Sequence, residues 1–133
     1  MEEDKYSLDS LKIWKGAHVL MLIIHKEIQK FPEEEKFNLV SQLRKAASSV
    51  ANNIAEGYGR YYFKEKNHCF SIARGEVLEV ISELCEARDK NYINKRLVNK
   101  LISKYSTLVK MINGYIGYYN KKAKKHSNKH PSS

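Results

Sequence analysis

The scarcity of helix-breaking residues is the feature that most limits the fold of this chain. Only two prolines, Pro32 and Pro131, and six glycines occur in 133 residues, while leucine, lysine and glutamate are plentiful. Proline and glycine disfavour helix interiors, whereas those three residue types favour them. The composition therefore predicts an all-α protein, and the length predicts a single domain.

Apolar residues recur at intervals of three and four in four segments, which predicts four amphipathic helices. The predicted helices span residues 11–30, 37–56, 63–90 and 94–120, with Asp9 or Ser10 as the N-cap of the first helix and Asn94 as that of the fourth. Short connections favour an antiparallel, up-down-up-down four-helix bundle over residues 9–120. Residues 1–8 are expected to be flexible, and residues 121–133, KKAKKHSNKHPSS, to form a disordered basic tail.

Each predicted helix has an apolar stripe that is expected to face the core. In chain order the stripes are Leu11, Trp14, Ala17, Met21, Ile24 and Ile28; Phe37, Val40, Leu43, Ala47, Val50 and Ile54; Phe70, Ala73, Val77, Val80 or Ile81, Leu84 and Ala87; and Leu97, Leu101, Leu108, Ile112 and Ile116. The third helix also carries a row that is typical of a solvated face. This row consists of Glu76, Glu79, Glu83 and Glu86.

The charges are distributed very unevenly along the chain. Residues 1–89 carry 13 Lys or Arg and all 15 Asp and Glu, a net charge of −2, whereas residues 90–133 carry 11 Lys or Arg and no acid, a net charge of +11. Such a one-sided distribution indicates a polyanionic partner. Nucleic acid is the leading candidate, with an acidic protein or an anionic membrane surface as lesser ones.

Basic residues of the fourth helix and the tail are the candidate phosphate contacts. They are Lys95, Arg96, Lys100, Lys104, Lys110, Lys121, Lys122, Lys124, Lys125 and Lys129. Six tyrosines near the predicted helix ends are candidates either for stacking on unpaired bases or for packing in the core and interfaces. They are Tyr58, Tyr61, Tyr62, Tyr115, Tyr118 and Tyr119.

Catalytic and metal-binding motifs are missing from the sequence. A di-iron bundle needs two Glu-x-x-His pairs, and only Glu65 with His68 has this spacing. The chain also lacks zinc-protease, nucleophile-elbow and Cys-x-x-Cys motifs. We expect no metal, no cofactor and no enzymatic activity. Cys69 and Cys85 lie too far apart on one predicted helix to form a disulfide.

The sequence EGYGR, residues 56–60, is too poor in glycine and lysine for a phosphate-binding loop. It follows a predicted helix, so Gly57 or Gly59 is expected to end that helix in the left-handed conformation. Asn53 lies between two inward-facing positions and is expected either to lock a neighbouring helix or subunit by hydrogen bonds or to belong to a functional polar surface.

The stretch FNLVSQLRKAASSVANNIAEGYGR, with its flanking helices, resembles the bacterial four-helix-bundle proteins encoded by intervening sequences of large-subunit ribosomal RNA genes. Residues that match the family motif include Arg44, Ser49, Asn53, Glu56, Gly57 and Arg60. Ala51 departs from the proline common at that position, so the kink expected there in helix two is not predicted here. The lysine-rich tail is not a family hallmark either.

The resemblance implies a four-helix protomer assembled into a ring-like homopentamer with no known enzymatic activity. A related group, the accessory proteins of diversity-generating retroelements, binds nucleic acid and a reverse transcriptase. The leading hypothesis is therefore a non-enzymatic, oligomeric accessory protein that binds RNA or DNA. The alternatives are a subunit that binds a reverse transcriptase and a scaffold for an acidic protein. Without a signal peptide or an apolar segment long enough for a membrane span, the chain is expected to be cytoplasmic.

Overall fold

The computed structural model describes residue 8 and residues 10–129, without the side chains of residues 128 and 129. This part of the chain contains four α-helices and no strand, which confirms the all-α prediction. The helices are α1 (Lys12–Glu27), α2 (Leu39–Gly59), α3 (Phe63–Asp89) and α4 (Lys95–Lys129), and two 3-10 turns, Ile28–Lys30 and Glu33–Glu35, connect α1 to α2.

Each helix packs against the next, and α1 also packs against α4, so the four helices form a closed bundle. Side-chain contacts between α3 and α4 show that these two helices run antiparallel. Asn67 near the start of α3 contacts Ile116 and Asn120 near the end of α4, whereas Arg88 at the end of α3 contacts Asn99 at the start of α4.

The core stripe of α3 lies where the sequence predicts it, while that of α1 is rotated. On α1 the fully buried residues include Ile13 and Leu20, whereas the predicted Leu11, Trp14 and Met21 are only partly buried. Helix α1 contacts both α2 and α4. Because α1 is apolar over much of its surface, the positions of these two helices determine which of its apolar residues are buried.

The prediction that Phe37 faces the core is wrong, because its side chain is 84% exposed. Helix α2 begins only at Leu39, and Leu39 takes the buried position at its start. On α4, Val98 and Tyr105 join the predicted core residues, while Leu97 and Ile116 are only partly buried.

Of the three helix ends predicted in detail, the start of α4 is confirmed, whereas the start of α1 and the end of α2 differ from the prediction. Asn94 caps α4, because its side-chain oxygen accepts a hydrogen bond from the backbone N–H of Leu97 at 3.1 Å. At the start of α1 the N-cap position is occupied by Leu11. Asp9 lies outside the described residues.

The predicted left-handed glycine at the end of α2 is also wrong. All six glycines lie in the described part of the chain, and none has a positive φ. Helix α2 runs without a break through Ala51 to Gly59 and ends when Arg60 adopts an extended conformation, with φ −72° and ψ 150°. Gly57 is needed for close packing instead, as its contacts with α3 show below.

Helix α4 continues nine residues past the predicted end at Asn120, as far as Lys129. Lysine and alanine are good helix formers, and extending an existing helix avoids the cost of nucleation. Lysines near a helix C-terminus also interact favourably with the helix dipole. The predicted disordered tail is therefore helical over residues 121–129, and residues 130–133 lie outside the described part of the chain.

Candidate nucleic-acid interface

Helix α4 has 35 residues and is about 50 Å long at 1.5 Å rise per residue. Its inner side fills the bundle core with a continuous stripe of buried residues. They are Val98, Leu101, Tyr105, Leu108 and Ile112. The outer side of α4 consequently faces solvent along its whole length.

Polar side chains of α3 hold α4 in one register. The side-chain amide of Asn67 donates to the backbone carbonyl of Ile116 at 3.1 Å and to Asn120 Oδ1 at 2.8 Å. Two turns further along α3, the Arg74 guanidinium donates to Asn113 Oδ1 at 2.8 Å. Together with the buried stripe, these contacts fix which side of α4 points outward.

The outer side of α4 displays the predicted phosphate contacts, and we call it the outer basic face. It consists of Lys95, Arg96, Lys100, Lys104, Lys110, Lys121, Lys122, Lys124 and Lys125, all of them exposed. Lys129 belongs to the helix, but its side chain is outside the described part. Among the described residues, no member of the outer basic face forms an ion pair within the chain. These cations are therefore available to an external anion.

Two further lysines, which the sequence reasoning missed, lie beside this face. Lys12 and Lys15 of α1 line a groove together with Lys104 and Thr107 of α4, and the floor of the groove is apolar. Their spacing of three residues placed them on one side of α1, but the sequence did not show that α1 packs alongside α4. The groove widens the basic surface at the middle of α4.

The six candidate tyrosines divide into packing and exposed residues. Tyr115 and Tyr119 stack against Phe70, with ring centroids 5.4 and 6.0 Å apart, and Tyr58 is half-buried. Tyr61, Tyr62 and Tyr118 are instead 84%, 66% and 53% exposed. The packing interpretation therefore holds for Tyr58, Tyr115 and Tyr119, whereas the three exposed tyrosines remain candidates for stacking on bases.

The motif residues of α2 are not part of the outer basic face, because α2 and α4 do not approach each other within the described residues. The Asn53 amide donates to Ser49 O at 2.9 Å and to Ser49 Oγ at 3.0 Å, both within α2. Within the described chain, Asn53 thus stabilises its own helix, and no bond from it to a neighbouring helix is formed.

Three other motif residues, Glu56, Gly57 and Arg60, lie at the α2–α3 connection. The Arg60 guanidinium lies 3.5 Å from Glu56 and 3.9 Å from Glu65, so it pairs with carboxylates on both sides of the turn. Gly57 is buried against α3. These three residues therefore help to hold α2 and α3 together, whereas Arg44 is exposed near the start of α2.

A groove between α2 and α3 is acidic. Four glutamates of α3 line this groove with Lys45 of α2, and we call it the glutamate groove; they are Glu76, Glu79, Glu83 and Glu86. The prediction of a simple solvated face holds for Glu79 and Glu86 but not for Glu76 and Glu83, which are half-buried. Burial, reinforced by the neighbouring carboxylates, raises the pKa of Glu83 to about 7.

The described residues contain no group of three or more His, Cys, Asp or Glu side chains placed to hold a metal ion. Cys69 and Cys85 are both free thiols. Over the same residues, no helix has the length and hydropathy needed to cross a bilayer. What the described surface offers chemically is a long, unpaired row of cations.

A protein-family model described as 23S rRNA-intervening sequence protein matches residues 9–114. The chain belongs to this family. The match confirms the resemblance drawn from the α2 motif, and among curated proteins no match is found.

The 23S rRNA-intervening sequence protein match covers the motif and the first half of α4, including Lys95 to Lys110. It ends before the lysines of residues 121–125, so the far end of the outer basic face lies beyond the region that this chain shares with the family model. That end also lies next to the exposed tyrosines of the α2–α3 connection.

Proposed function

We propose that this member of the family is a non-enzymatic, oligomeric accessory protein that binds RNA or DNA through the outer basic face of α4. The single observation that carries the proposal is this face itself. Nine exposed cations follow one side of a helix without a carboxylate partner among the described residues, and no acidic residue follows Asp89 in the sequence.

The dimensions of the outer basic face suit a nucleic-acid backbone. Lys95 and Lys125 are 30 positions apart on one helix, or about 45 Å. This length exceeds one turn of a duplex, about 34 Å. Several phosphates can therefore be contacted at once, and each contact releases counterions, which makes affinity fall steeply as salt rises.

Oligomerisation is part of the proposal, with a homopentamer as the form implied by the family resemblance. Exposed apolar side chains on α1 and α3 support it, because large exposed hydrophobic residues favour protein contacts. Val19 and Leu22 on α1 are 47% and 50% exposed, and Leu78 on α3 is 62% exposed. Several outer basic faces in one assembly would increase avidity.

Binding of labelled structured RNA and duplex DNA across a salt series tests the proposal, with the mass of the assembly measured by light scattering on the same sample. We expect tight binding at low salt and a steep salt slope. The test variant is Lys100→Gln with Lys104→Gln, which should reduce the slope by about one for each lost phosphate contact. No binding of the unmodified protein at low salt would refute the proposed function.

The matched control is Arg44→Gln with Lys45→Gln, which removes the same charge from exposed positions of α2. Because α2 lies away from α4, this pair should lower affinity much less than the α4 pair. Equal losses would mean that only net charge matters and would contradict a role for the outer basic face.

An acidic protein partner or a reverse transcriptase would use the same cations differently. A protein partner is retained in a pull-down after nuclease treatment, whereas a partner bridged by nucleic acid is released. Retention together with no direct nucleic-acid binding would favour the scaffold alternative. A reverse-transcriptase gene beside this one would favour the retroelement alternative.

A further inference from the structure

The far end of α4 and the α2–α3 connection form a cleft, which we call the aromatic cleft. It differs from the outer basic face because aromatic side chains line it. Its volume is about 660 Å³. It is lined on one side by Tyr61, Tyr62, Phe63 and Lys64, and on the other by Ala123 and His126 of α4. Binding sites for small organic groups commonly have volumes in this range.

We propose that the aromatic cleft binds unpaired nucleobases, so that the protein prefers single-stranded over fully paired nucleic acid. The proposal rests on the proposed function, since it names the form of nucleic acid that the outer basic face would hold. Three observations carry it: the exposure of the rings, the support beneath them, and the lysines near them.

The two tyrosines are exposed to an unusual degree for large aromatic side chains. Tyr61 is 84% and Tyr62 66% exposed, and both follow directly after the end of α2. Their rings meet edge to face, with centroids 5.0 Å apart. The pair therefore presents ring surface to solvent that the fold itself does not use, which is typical of a binding site.

Aromatic packing beneath the cleft holds its wall in place. Phe63 stacks on Tyr119 of α4 with ring centroids 5.9 Å apart, and Tyr119 in turn stacks on Phe70 in the core. The Lys66 ammonium donates to Tyr58 O at 2.9 Å and lies 5.4 Å from the centre of the Tyr119 ring. The backbone next to the exposed tyrosines is thus held in place by the packing of Phe63. This lowers the entropy cost of ordering the tyrosines on binding.

Cations also lie near the aromatic cleft. Lys64 lines the cleft itself, and Lys122 and Lys124 are the sequence neighbours of Ala123 in its α4 wall. Lys121, Lys122, Lys124 and Lys125 line a separate groove of α4 with Tyr118. The Lys122 ammonium lies 5.4 Å from the centre of the exposed Tyr118 ring. Aromatic rings beside lysines are the arrangement by which proteins bind single strands, through base stacking and phosphate contacts together.

The selectivity follows from where bases are accessible. In a duplex both faces of each base are covered by its neighbours, so a base enters a cleft only after unstacking, which costs energy. In a single strand the faces are available. Because every base has such a face, the cleft should be tolerant of sequence.

Affinities of the full-length protein for a labelled oligouridylate of about 20 nucleotides and for a blunt-ended RNA duplex of about 20 base pairs test the proposal. Tyr61→Ala with Tyr62→Ala should weaken binding of the single strand about tenfold or more, since stacking is lost, and change duplex binding less than about twofold. Tyr61→Phe with Tyr62→Phe keeps both rings and should bind like the unmodified protein.

The matched control is Phe37→Ala, which removes a ring that is also 84% exposed but lies in the α1–α2 connection. It should bind both probes like the unmodified protein. Thermal unfolding checks that the variants are folded, which is expected because the replaced side chains are exposed.

The outcomes separate this inference from the proposed function. If the unmodified protein binds neither probe at low salt, the proposed function fails and this inference fails with it. If it binds both probes and the double alanine variant is unchanged, or loses affinity equally for both, the inference is overturned while the proposed function stands. Photocrosslinking of iodouridine to Tyr61 or Tyr62 would support it directly.

Discussion

Gly57 of α2 lies directly against Phe70 of α3, so closely that a β-carbon at position 57 would be 3.2 Å from the Phe70 ring and 3.2 Å from the backbone carbonyl of Lys66. Replacing Gly57 with alanine improves helix propensity by about 1 kcal/mol. Overpacking against a backbone atom costs typically about 1–3 kcal/mol. We expect Gly57→Ala to lower the free energy of unfolding by about 1 kcal/mol in urea titrations at one protein concentration.

Gly59→Ala is the matched control for this prediction. Gly59 lies in the same helix, and an added β-carbon would meet nothing within 4 Å. The propensity gain is then unopposed, and stability should rise by about 0.5–1 kcal/mol. An equal gain in both variants would contradict the packing role of Gly57.

The contrast between α3 and α1 shows how far the sequence determines the core. The stripe from Phe70 to Ala87 of α3 was assigned to the core correctly, because most residues on the other sides of α3 are polar or small, although Ile72 and Leu78 are apolar and exposed. Helix α1 is apolar over much of its surface, so Ile13 and Trp14 are both plausible core residues until the neighbouring helices are placed.

The candidate site, too, could be predicted from the sequence only in part. The cations of α4 were found from the charge distribution alone, and the structure adds that the same helix continues through Lys125. Two other features depend on tertiary contacts that the sequence does not show. Gly57 was a candidate for a left-handed helix end but instead packs against α3. Lys12 lies beside the basic surface only because α1 packs next to α4.

Tyr105 on α4 is fully buried, and its hydroxyl has no hydrogen-bond partner among the described residues. Burial raises the pKa of this tyrosine, so the hydroxyl stays neutral. An unpaired buried hydroxyl costs about 1–3 kcal/mol. We expect Tyr105→Phe to raise the free energy of unfolding by about 1 kcal/mol in urea titrations. A loss of stability would show that the hydroxyl is paired in solution.

Tyr92 connects the two loops at one end of the bundle, because its hydroxyl donates to Glu35 Oε2 at 2.9 Å. This bond, with help from Lys90, lowers the pKa of Glu35, so its contribution to stability is present above the ordinary pKa of a glutamate and is lost as pH falls. Tyr92→Phe should lower the melting temperature at pH 7 and much less at pH 3. Tyr61→Phe, which alters an exposed tyrosine, should leave the melting temperature unchanged at both pH values.

Glu83 in the glutamate groove should have the opposite pH dependence. It is faced by Glu76, Glu79 and Glu86 from its own helix and by Lys45 from α2 across the groove. Lys45 forms no ion pair with any of them among the described residues. The folded state therefore holds a proton on Glu83 more tightly than the unfolded chain does.

Since the pKa of Glu83 is raised to about 7, the stability associated with its protonation is present below the ordinary glutamate pKa and is lost as pH rises through 7. Glu83→Gln removes this loss and should stabilise the protein at pH 8 by about 1 kcal/mol, a value reduced by solvent screening of the half-exposed group. At pH 4.5 the variant and the unmodified protein should be nearly equal. The matched control is Glu33→Gln, an exposed carboxylate outside the glutamate groove that lies 3.9 Å from Lys36 and should give no such gain. Urea titrations at the two pH values measure both differences, and a gain for Glu83→Gln that is the same at pH 4.5 and pH 8 would show that Glu83 does not titrate as the groove geometry requires.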